Sequence, residues 1–259
     1  MESNNCSADH NRYRLESGTQ SMELTEALPT EGLTCVVGAG GKKTTLYALA
    51  NALDRAVVTA TVRIPIFDPH VARVVVTDDP IKAIEENDDW PLGVVPEREF
   101  EDRYRGYDRE TVEELAERTD VPILVKADGA RMREFKAPDE REPQLPRTTD
   151  TVIPIASVHA VGKPLDDAVV HRPERIAAIA GLEPGEEITS EAVAAVLASP
   201  EGGLKDAPDG ATVIPLLNKV DDSEDERVAR GIADGIHERA DVERVVLARM
   251  ADAEVVDVI

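Results

Sequence analysis

A glycine-rich segment with two lysines and two threonines, residues 38–45, is the part of the sequence best suited to chemistry. Gly38, Gly40 and Gly41 allow the backbone to curl so that its N–H groups converge, and the apolar spacing that follows predicts a helix, whose positive end points the same way. A lysine in such a loop neutralises phosphate, and a threonine hydroxyl can bind Mg²⁺. The segment therefore predicts a phosphate-binding loop.

Two lysines compete for the phosphate in this loop. The usual spacing Gly-x-x-x-x-Gly-Lys-Thr is met in full by neither, because Lys43 lacks both glycines and Lys42 lacks the first. Either Lys42 or Lys43 is thus expected on the β and γ phosphates, with Thr44 on Mg²⁺ and Thr45 beside it. The alternative is a tight strand-to-helix turn with incidental lysines.

A second segment, residues 218–221, follows an apolar run and could recognise a base. The carboxylate of Asp221 can accept two hydrogen bonds from guanine, the Asn218 amide can reach the other edge of the base, and the stem of Lys219 can lie over it. With the phosphate loop first and this segment last, the order along the chain is that of G-protein-like folds. A solvated loop with Asp221 as a helix cap is the alternative.

Asp128 lies at the end of a third apolar run, residues 123–125. A carboxylate beside a phosphate loop can bind the water shell of Mg²⁺ or position a water molecule, so Asp128 is predicted as a catalytic and metal-associated residue. Because Asp-Gly is also a common turn pair, a purely structural role remains open.

The charge of the chain excludes several partners. It has 29 Lys+Arg against 52 Asp+Glu, for a net charge of −23, and such a surface repels nucleic acids and anionic membranes. We interpret the acidity as adaptation to a salt-rich cytoplasm. The chain has only eight lysines, and six of them lie in or near the segments of interest: Lys42, Lys43, Lys126, Lys136, Lys163 and Lys219.

The pattern around these segments predicts an α/β protein. Apolar runs at 56–61, 71–76, 123–125, 152–156, 213–217 and 245–247 alternate with helical spacing at 109–118, 173–180, 191–198 and 226–240. This alternation predicts a mostly parallel sheet with helices on both faces, P-loop NTPase-like in type. Residues 1–20 are expected to form a mobile tail, residues 21–259 a single nucleotide-binding domain, and residues 138–146 and 199–210 long loops.

Other features of the sequence favour a reducing, aqueous compartment. No run approaches the roughly 18 apolar residues of a membrane span, and the two cysteines have no disulfide or zinc spacing, so a cytoplasmic location is expected. The five histidines are scattered and are interpreted as cap, core or surface residues.

Several short blocks occur in the same order as in a known family. The glycine loop with Lys42, residues 127–131, 136–138, 162–165 and 170–174 together resemble the YqeC family of selenium-dependent hydroxylase accessory proteins over residues 33–220. The resemblance implies a P-loop-like protein that assists the maturation of selenium-dependent molybdenum hydroxylases. The chain has Lys42-Lys43 where the family usually has a single lysine, and Lys126 where it often has glutamate.

These observations lead to one function and two alternatives. The first is a GTP-binding, or ATP-binding, Mg²⁺-dependent maturation factor that hydrolyses its nucleotide and acts on a molybdenum hydroxylase or its cofactor. The second is a kinase or nucleotidyltransferase in which an acceptor is held by Lys136, Lys163, His171 or Arg172. The third is a nucleotide-gated chaperone without catalysis.

Overall fold

The computed structural model describes residues 22–259, so the expected N-terminal tail lies outside the described residues. Its strands, in chain order, are β1 (Leu33–Gly38), β2 (Val57–Ala60), β3 (Ile64–Pro65), β4 (Arg73–Val76), β5 (Leu92–Val95), β6 (Glu97–Phe100), β7 (Arg103–Arg105), β8 (Ile123–Lys126), β9 (Phe135–Lys136), β10 (Thr151–Ser157), β11 (Val170–His171), β12 (Thr212–Val213), β13 (Leu216–Asn218), β14 (Val246–Arg249) and β15 (Glu254–Val258). The helices are α1 (Leu24–Ala27), α2 (Lys42–Ala52), α3 (Pro80–Glu85), α4 (Arg109–Arg118), α5 (Pro173–Ala180), α6 (Ser190–Leu197) and α7 (Ser223–His237).

A ten-stranded sheet forms the centre of the fold. Its order is β15-β14-β13-β10-β1-β8-β2-β5-β4, with β12 paired to β10. All neighbours are parallel except β14 and β15. The mostly parallel sheet predicted from the alternating pattern is therefore confirmed.

Helices cover both faces of this sheet. Alternate residues of β1 point to opposite sides: Val36 packs with α1 and α2, whereas Cys35 and Val37 pack with residues of α3 and α4. Helices α5, α6 and α7 pack with Leu217 and Leu247, which belong to β13 and β14. Residues buried on both faces explain why the central strands read as continuous Val/Ile/Leu runs.

The predicted strand at 213–217 is interrupted. Pro215 separates β12 from β13, and Pro154 of β10 lies opposite this break, between the residues paired to β12 and those paired to β13. Proline has no N–H to contribute to a ladder, which explains the gap. The antiparallel edge strand β15 and the small antiparallel sheet of β3, β7 and β6 have no counterpart in the sequence-based prediction.

Strand β1 lies near the middle of the sheet. It lies between β8 and β10. Strands that precede β8 in the chain extend the sheet on one side of β1, and strands that follow β10 extend it on the other side. In open parallel sheets, ligands bind beyond the carboxyl ends of the strands at such a switch point. The glycine loop, Asp128 and Asn218 follow or end β1, β8 and β13, and thus lie at this edge.

Candidate functional site around the glycine loop

The glycine loop connects β1 directly to α2. Gly38, Gly40 and Gly41 have φ angles of 89°, 89° and 147°, a region that side chains with a Cβ rarely adopt. A Cβ on Gly38 would lie 2.2 Å from the Ile155 carbonyl oxygen, and one on Gly41 would lie 2.0 Å from Nδ2 of Asn218. Both the backbone path and the close neighbours therefore require glycine here.

The loop leaves a row of backbone donors at the start of α2. The hydrogen bonds found within residues 22–259 include none from the N–H groups of the five residues Gly40–Thr44, whereas Thr45 N–H donates to the Gly41 carbonyl. Adjacent N–H groups at the positive end of an 11-residue helix favour an anion. The geometry is therefore suited to phosphate.

The structure distinguishes the two lysines. Lys42 is 5% exposed; its Nζ donates to the Gly38 carbonyl and lies 2.7 Å from Oδ1 of Asp128, so its side chain folds back across the loop. Burial lowers the pKa of Lys42, and the charge of Asp128 partly offsets that effect. Lys43 is half-buried, and no ion pair found among residues 22–259 joins it to this cluster.

The two threonines also differ. Thr45 is buried and its hydroxyl donates to the Gly41 carbonyl at 3.1 Å, which commits it to the first turn of α2. Thr44 is exposed on the same turn. Of the two hydroxyls, that of Thr44 is the more accessible to a ligand.

Asp128 connects β8 to the glycine loop. Its Oδ2 accepts from the Gly38 N–H at 2.9 Å and lies 2.9 Å from Nζ of Lys136, while Oδ1 faces Lys42. Burial alone would raise the pKa of Asp128, but the two ammonium groups together lower it to about 2. The carboxylate is therefore ionised and held between two lysines.

The charges continue beyond Asp128 in alternating sign. Lys136 Nζ lies 2.7 Å from Oε2 of Glu142, and the same oxygen lies 2.8 Å from the guanidinium of Arg172, which also pairs with Asp139. We call Lys42, Asp128, Lys136, Glu142 and Arg172 the ion chain. Each member faces an opposite charge, and this attraction offsets the free-energy cost of removing the charges from water.

Lys126 adds a further positive charge next to the ion chain. Its Nζ donates to the carbonyls of Arg63, at 2.9 Å, and Asp128, at 2.7 Å. Burial, reinforced by the charge of Lys42, lowers the pKa of Lys126 to about 7. Lys126 thus joins the segment after β2 to the end of β8.

Residues 218–221, predicted from the sequence to recognise a base, lie on the other flank of the loop. Asn218 is 4% exposed, and both of its polar atoms are engaged, with Nδ2 donating to Gly40 at 2.7 Å and Oδ1 accepting from Met250 N–H at 3.0 Å. Lys219 pairs with Glu134 at 2.6 Å. Asp221, whose side chain is 50% exposed, presents the most accessible polar group of the three, since the side chain of Lys219 is 36% exposed and paired.

Sequence reasoning did not identify the acidic partners of these groups. Glu142, Asp139 and Glu134 lie in loops without a recognisable motif, and Lys205, whose Nζ donates to the Glu142 carbonyl at 2.7 Å, lies in another loop. The sequence feature that pointed to this region was the small number of lysines in the chain. Of the six lysines it singled out, Lys163 is exposed and is not part of the ion chain.

Nor did the sequence indicate that His159 would meet two carboxylates. Its Nε2 lies 3.4 Å from Oδ2 of Asp221 and 3.4 Å from Oδ2 of Asp225. Within the described range, this is a group of three side chains whose ligand atoms lie within 4.8 Å of one another. The three residues come from two separate parts of the chain.

Fold and site together define an α/β protein with a strand–glycine loop–helix unit at the switch point of a parallel sheet. The family model "YqeC protein" matches residues 34–174, and the chain is 30% identical over 191 residues to "Uncharacterized protein YqeC" of Escherichia coli (strain K12), covering 71% of this chain and 74% of that protein. The chain belongs to the YqeC family. No helix in the described part of the chain is long and apolar enough to cross a bilayer.

Proposed function

We propose that this protein is a P-loop-like nucleotide-binding protein that takes GTP, or ATP, with Mg²⁺ at the glycine loop. The observation that carries the proposal is the row of free N–H groups from Gly40 to Thr44, with the ammonium of Lys42 folded across the same loop. Adjacent backbone donors and a lysine ammonium over the same loop are what a triphosphate needs.

Lys42 is assigned as the phosphate lysine. Its Nζ already lies over the loop, and a phosphate group there would replace the Gly38 carbonyl as its acceptor. Asp128, which remains paired with Lys136, would keep a counter-ion when Lys42 turns to the phosphate. Lys43 has no comparable position.

Mg²⁺ would bind the phosphates with help from Thr44 and Asp128. The exposed hydroxyl of Thr44 fits a direct ligand, whereas Asp128 is already engaged by Gly38 and Lys136 and fits the water shell of the ion better than direct contact. The ion would supply charge neutralisation of the phosphates. The chain itself binds the phosphates, holds Asp128 ionised and excludes solvent from the ion chain.

Guanine is the preferred base in this proposal. Asn218 ties the glycine loop to β13 and β14, so its role becomes positioning, and Asp221 is left to read the base. Lys219, with φ at 64° and its ammonium on Glu134, fixes the turn between them. The proposal includes a role in the maturation of a molybdenum hydroxylase or its cofactor, which is what the sequence resemblance to the YqeC family implies.

Nucleotide-dependent thermal stabilisation tests the loop. GTP at about 100 times its Kd should stabilise the parent by about 2.7 kcal/mol. Lys42→Ala should lose most of this increment, measured against its own unliganded Tm, whereas Lys43→Ala should keep it. If both variants are stabilised as strongly as the parent, the glycine loop is only a turn.

A transfer reaction is a second candidate, because the structure brings three of its four predicted acceptor residues together, Lys163 being the exception. His171 pairs with Lys136 in the β9–β11 ladder, and Arg172 reaches Glu142 beside them. Single-turnover phosphate release, with and without small anionic acceptors, separates the candidates. Acceptor-independent release indicates hydrolysis, acceptor-dependent product indicates transfer, and nucleotide binding without release indicates a nucleotide-gated chaperone.

A further inference from the structure

His159, Asp221 and Asp225 form a cluster that the nucleotide proposal uses only in part. His159 belongs to a 3₁₀ turn after β10, Asp221 lies in the loop after β13, and Asp225 lies in the first turn of α7. Their side chains are 39%, 50% and 22% exposed. The cluster is therefore preformed and open to solvent on one side.

The distances in the cluster are long for hydrogen bonds. His159 Nε2 lies 3.4 Å from one oxygen of each carboxylate, whereas N–H···O bonds usually fall at about 2.7–3.2 Å. Two ligands at about 2.0–2.1 Å from a tetrahedral metal ion are separated by about 3.4 Å. The spacing fits two edges of a zinc coordination polyhedron, and the two carboxylate oxygens also lie within 4.8 Å of each other. The contact to Asp225 also meets the geometry of a long hydrogen bond.

The carboxylates also have no other cationic partner. Within residues 22–259, neither Asp221 nor Asp225 lies within 4.0 Å of a lysine or arginine nitrogen, and His159 is the sole basic group that each one contacts. Asp225 Oδ2 also accepts from the N–H of Asp221 at 3.1 Å, which holds the loop against α7. Two carboxylates carry more negative charge than one imidazole can balance, so a further positive ion would be stabilised here.

We propose that His159, Asp221 and Asp225 bind a divalent transition-metal ion of the Zn²⁺ or Co²⁺ type. One imidazole and two carboxylates form a mixed nitrogen and oxygen donor set, which first-row transition metals accept and which is less suited to Mg²⁺. Three protein ligands leave the fourth position of a tetrahedral ion to water, so the site is open rather than structural.

The metal would also regulate nucleotide recognition, a consequence that rests on the proposed function. If Oδ2 of Asp221 coordinates the ion, the same carboxylate cannot also accept both hydrogen bonds from guanine without distortion. Metal and guanine nucleotide should therefore weaken each other's binding by the same factor, as linkage requires. Binding of the metal itself does not require the nucleotide and can be measured in its absence.

Titration of the full chain with Co²⁺ and Zn²⁺, without nucleotide, tests the site. We expect one metal ion per chain, with a visible Co²⁺ absorption band of tetrahedral intensity that Zn²⁺ abolishes. His159→Gln and Asp225→Asn should each weaken Zn²⁺ binding at least tenfold, with an unchanged Tm in EDTA. His237→Gln removes an exposed histidine elsewhere on α7 and should change nothing.

Zinc binding of equal strength in the parent and in both variants would overturn the proposal, as would no binding up to about 1 mM. A separate GTP titration with and without saturating Zn²⁺ tests the coupling. If Zn²⁺ binds through His159 but GTP does not bind at all, the proposed nucleotide function fails and the metal site stands. If GTP binds with the same affinity in both titrations, the regulatory consequence is refuted.

Discussion

On one flank of the glycine loop, the side chains of Asp128 and Lys136 are 2% and 0% exposed, and every charge of the ion chain faces an opposite charge. On the other flank, His159 and Asp221 are 39% and 50% exposed, and two carboxylates share one imidazole. The first flank is built into the fold, whereas the second lies on its surface. Substitutions on the two flanks should therefore have different kinds of effect.

The comparison also explains what each flank can contribute to function. Buried, paired charges are fixed in place, so the flank proposed to bind phosphate can hold an ionised carboxylate and a lysine ready without reorganisation. Solvated groups can change partners at little cost in stability. Ligand selection is therefore expected at the exposed flank.

The largest effect is expected for Lys136→Met. This change removes the ammonium that neutralises both Asp128 and Glu142, and a buried ion pair broken from one side costs about 3–5 kcal/mol. Urea unfolding measures the loss. Lys163→Met, at an exposed position, is the control and should stay within about 0.5 kcal/mol of the parent.

Asp221→Asn should alter ligand preference but not stability. With Asp221 as acceptor of two guanine hydrogen bonds, the parent should prefer GTP over ATP by about 2–3 kcal/mol, or roughly 30- to 150-fold. The variant reverses the donor and acceptor pattern, so it should bind guanine less well and favour xanthine nucleotides. Competition binding with GTP, ATP and XTP provides the measurement.

A parent that prefers ATP, or a variant with the same ranking as the parent, would show that Asp221 does not read the base. The alternative role of Asp221 as a helix cap is wrong, because the cap of α7 is Asp222, whose side chain accepts from the N–H groups of Glu224 and Asp225. A stability loss of several kcal/mol in this variant would instead remove the contrast between the two flanks.

Lys126 should produce a characteristic pH dependence on the buried flank. Its pKa is lowered to about 7 in the folded protein, so between pH 7 and pH 10 the unfolded chain binds more protons at this position. Stability contributed by this group should therefore rise by about 2 kcal/mol from pH 7 to pH 9. Lys126→Met should flatten the profile by that amount, and parallel profiles for the two proteins would contradict the assignment.

The smallest of these effects is the response of the ion chain to salt. The acidic surface should make the parent Tm rise between dilute buffer and molar KCl, since the Debye length falls to about 3 Å at 1 M. The stability difference between the parent and Lys136→Met should stay nearly constant, because buried pairs are screened little. If the stability difference between the parent and Lys136→Met shrinks strongly as salt is added, the ion chain is solvated.

Local pattern was enough to predict most of the regular structure. Helices α4 and α5 have the predicted bounds, and α6 and α7 lie within about three residues of theirs, because amphipathic spacing and the preferences of the first residues act over one or two turns. Strands β9 and β11, at two residues each, carry too little pattern to be recognised. Their pairing depends on the tertiary position of Lys136 and His171.

The sequence by itself determined the glycine loop, the strand and helix around it, and the surplus of surface acid, since each follows from residue type and short spacing. Only the tertiary structure decided that Lys42, rather than Lys43, folds over the loop and that Asn218 is committed to Gly40 and Met250. It alone brought His159 to Asp221 and Asp225. Such choices depend on which side chains are buried together, and that is set by the order of strands in the sheet, which no local spacing encodes.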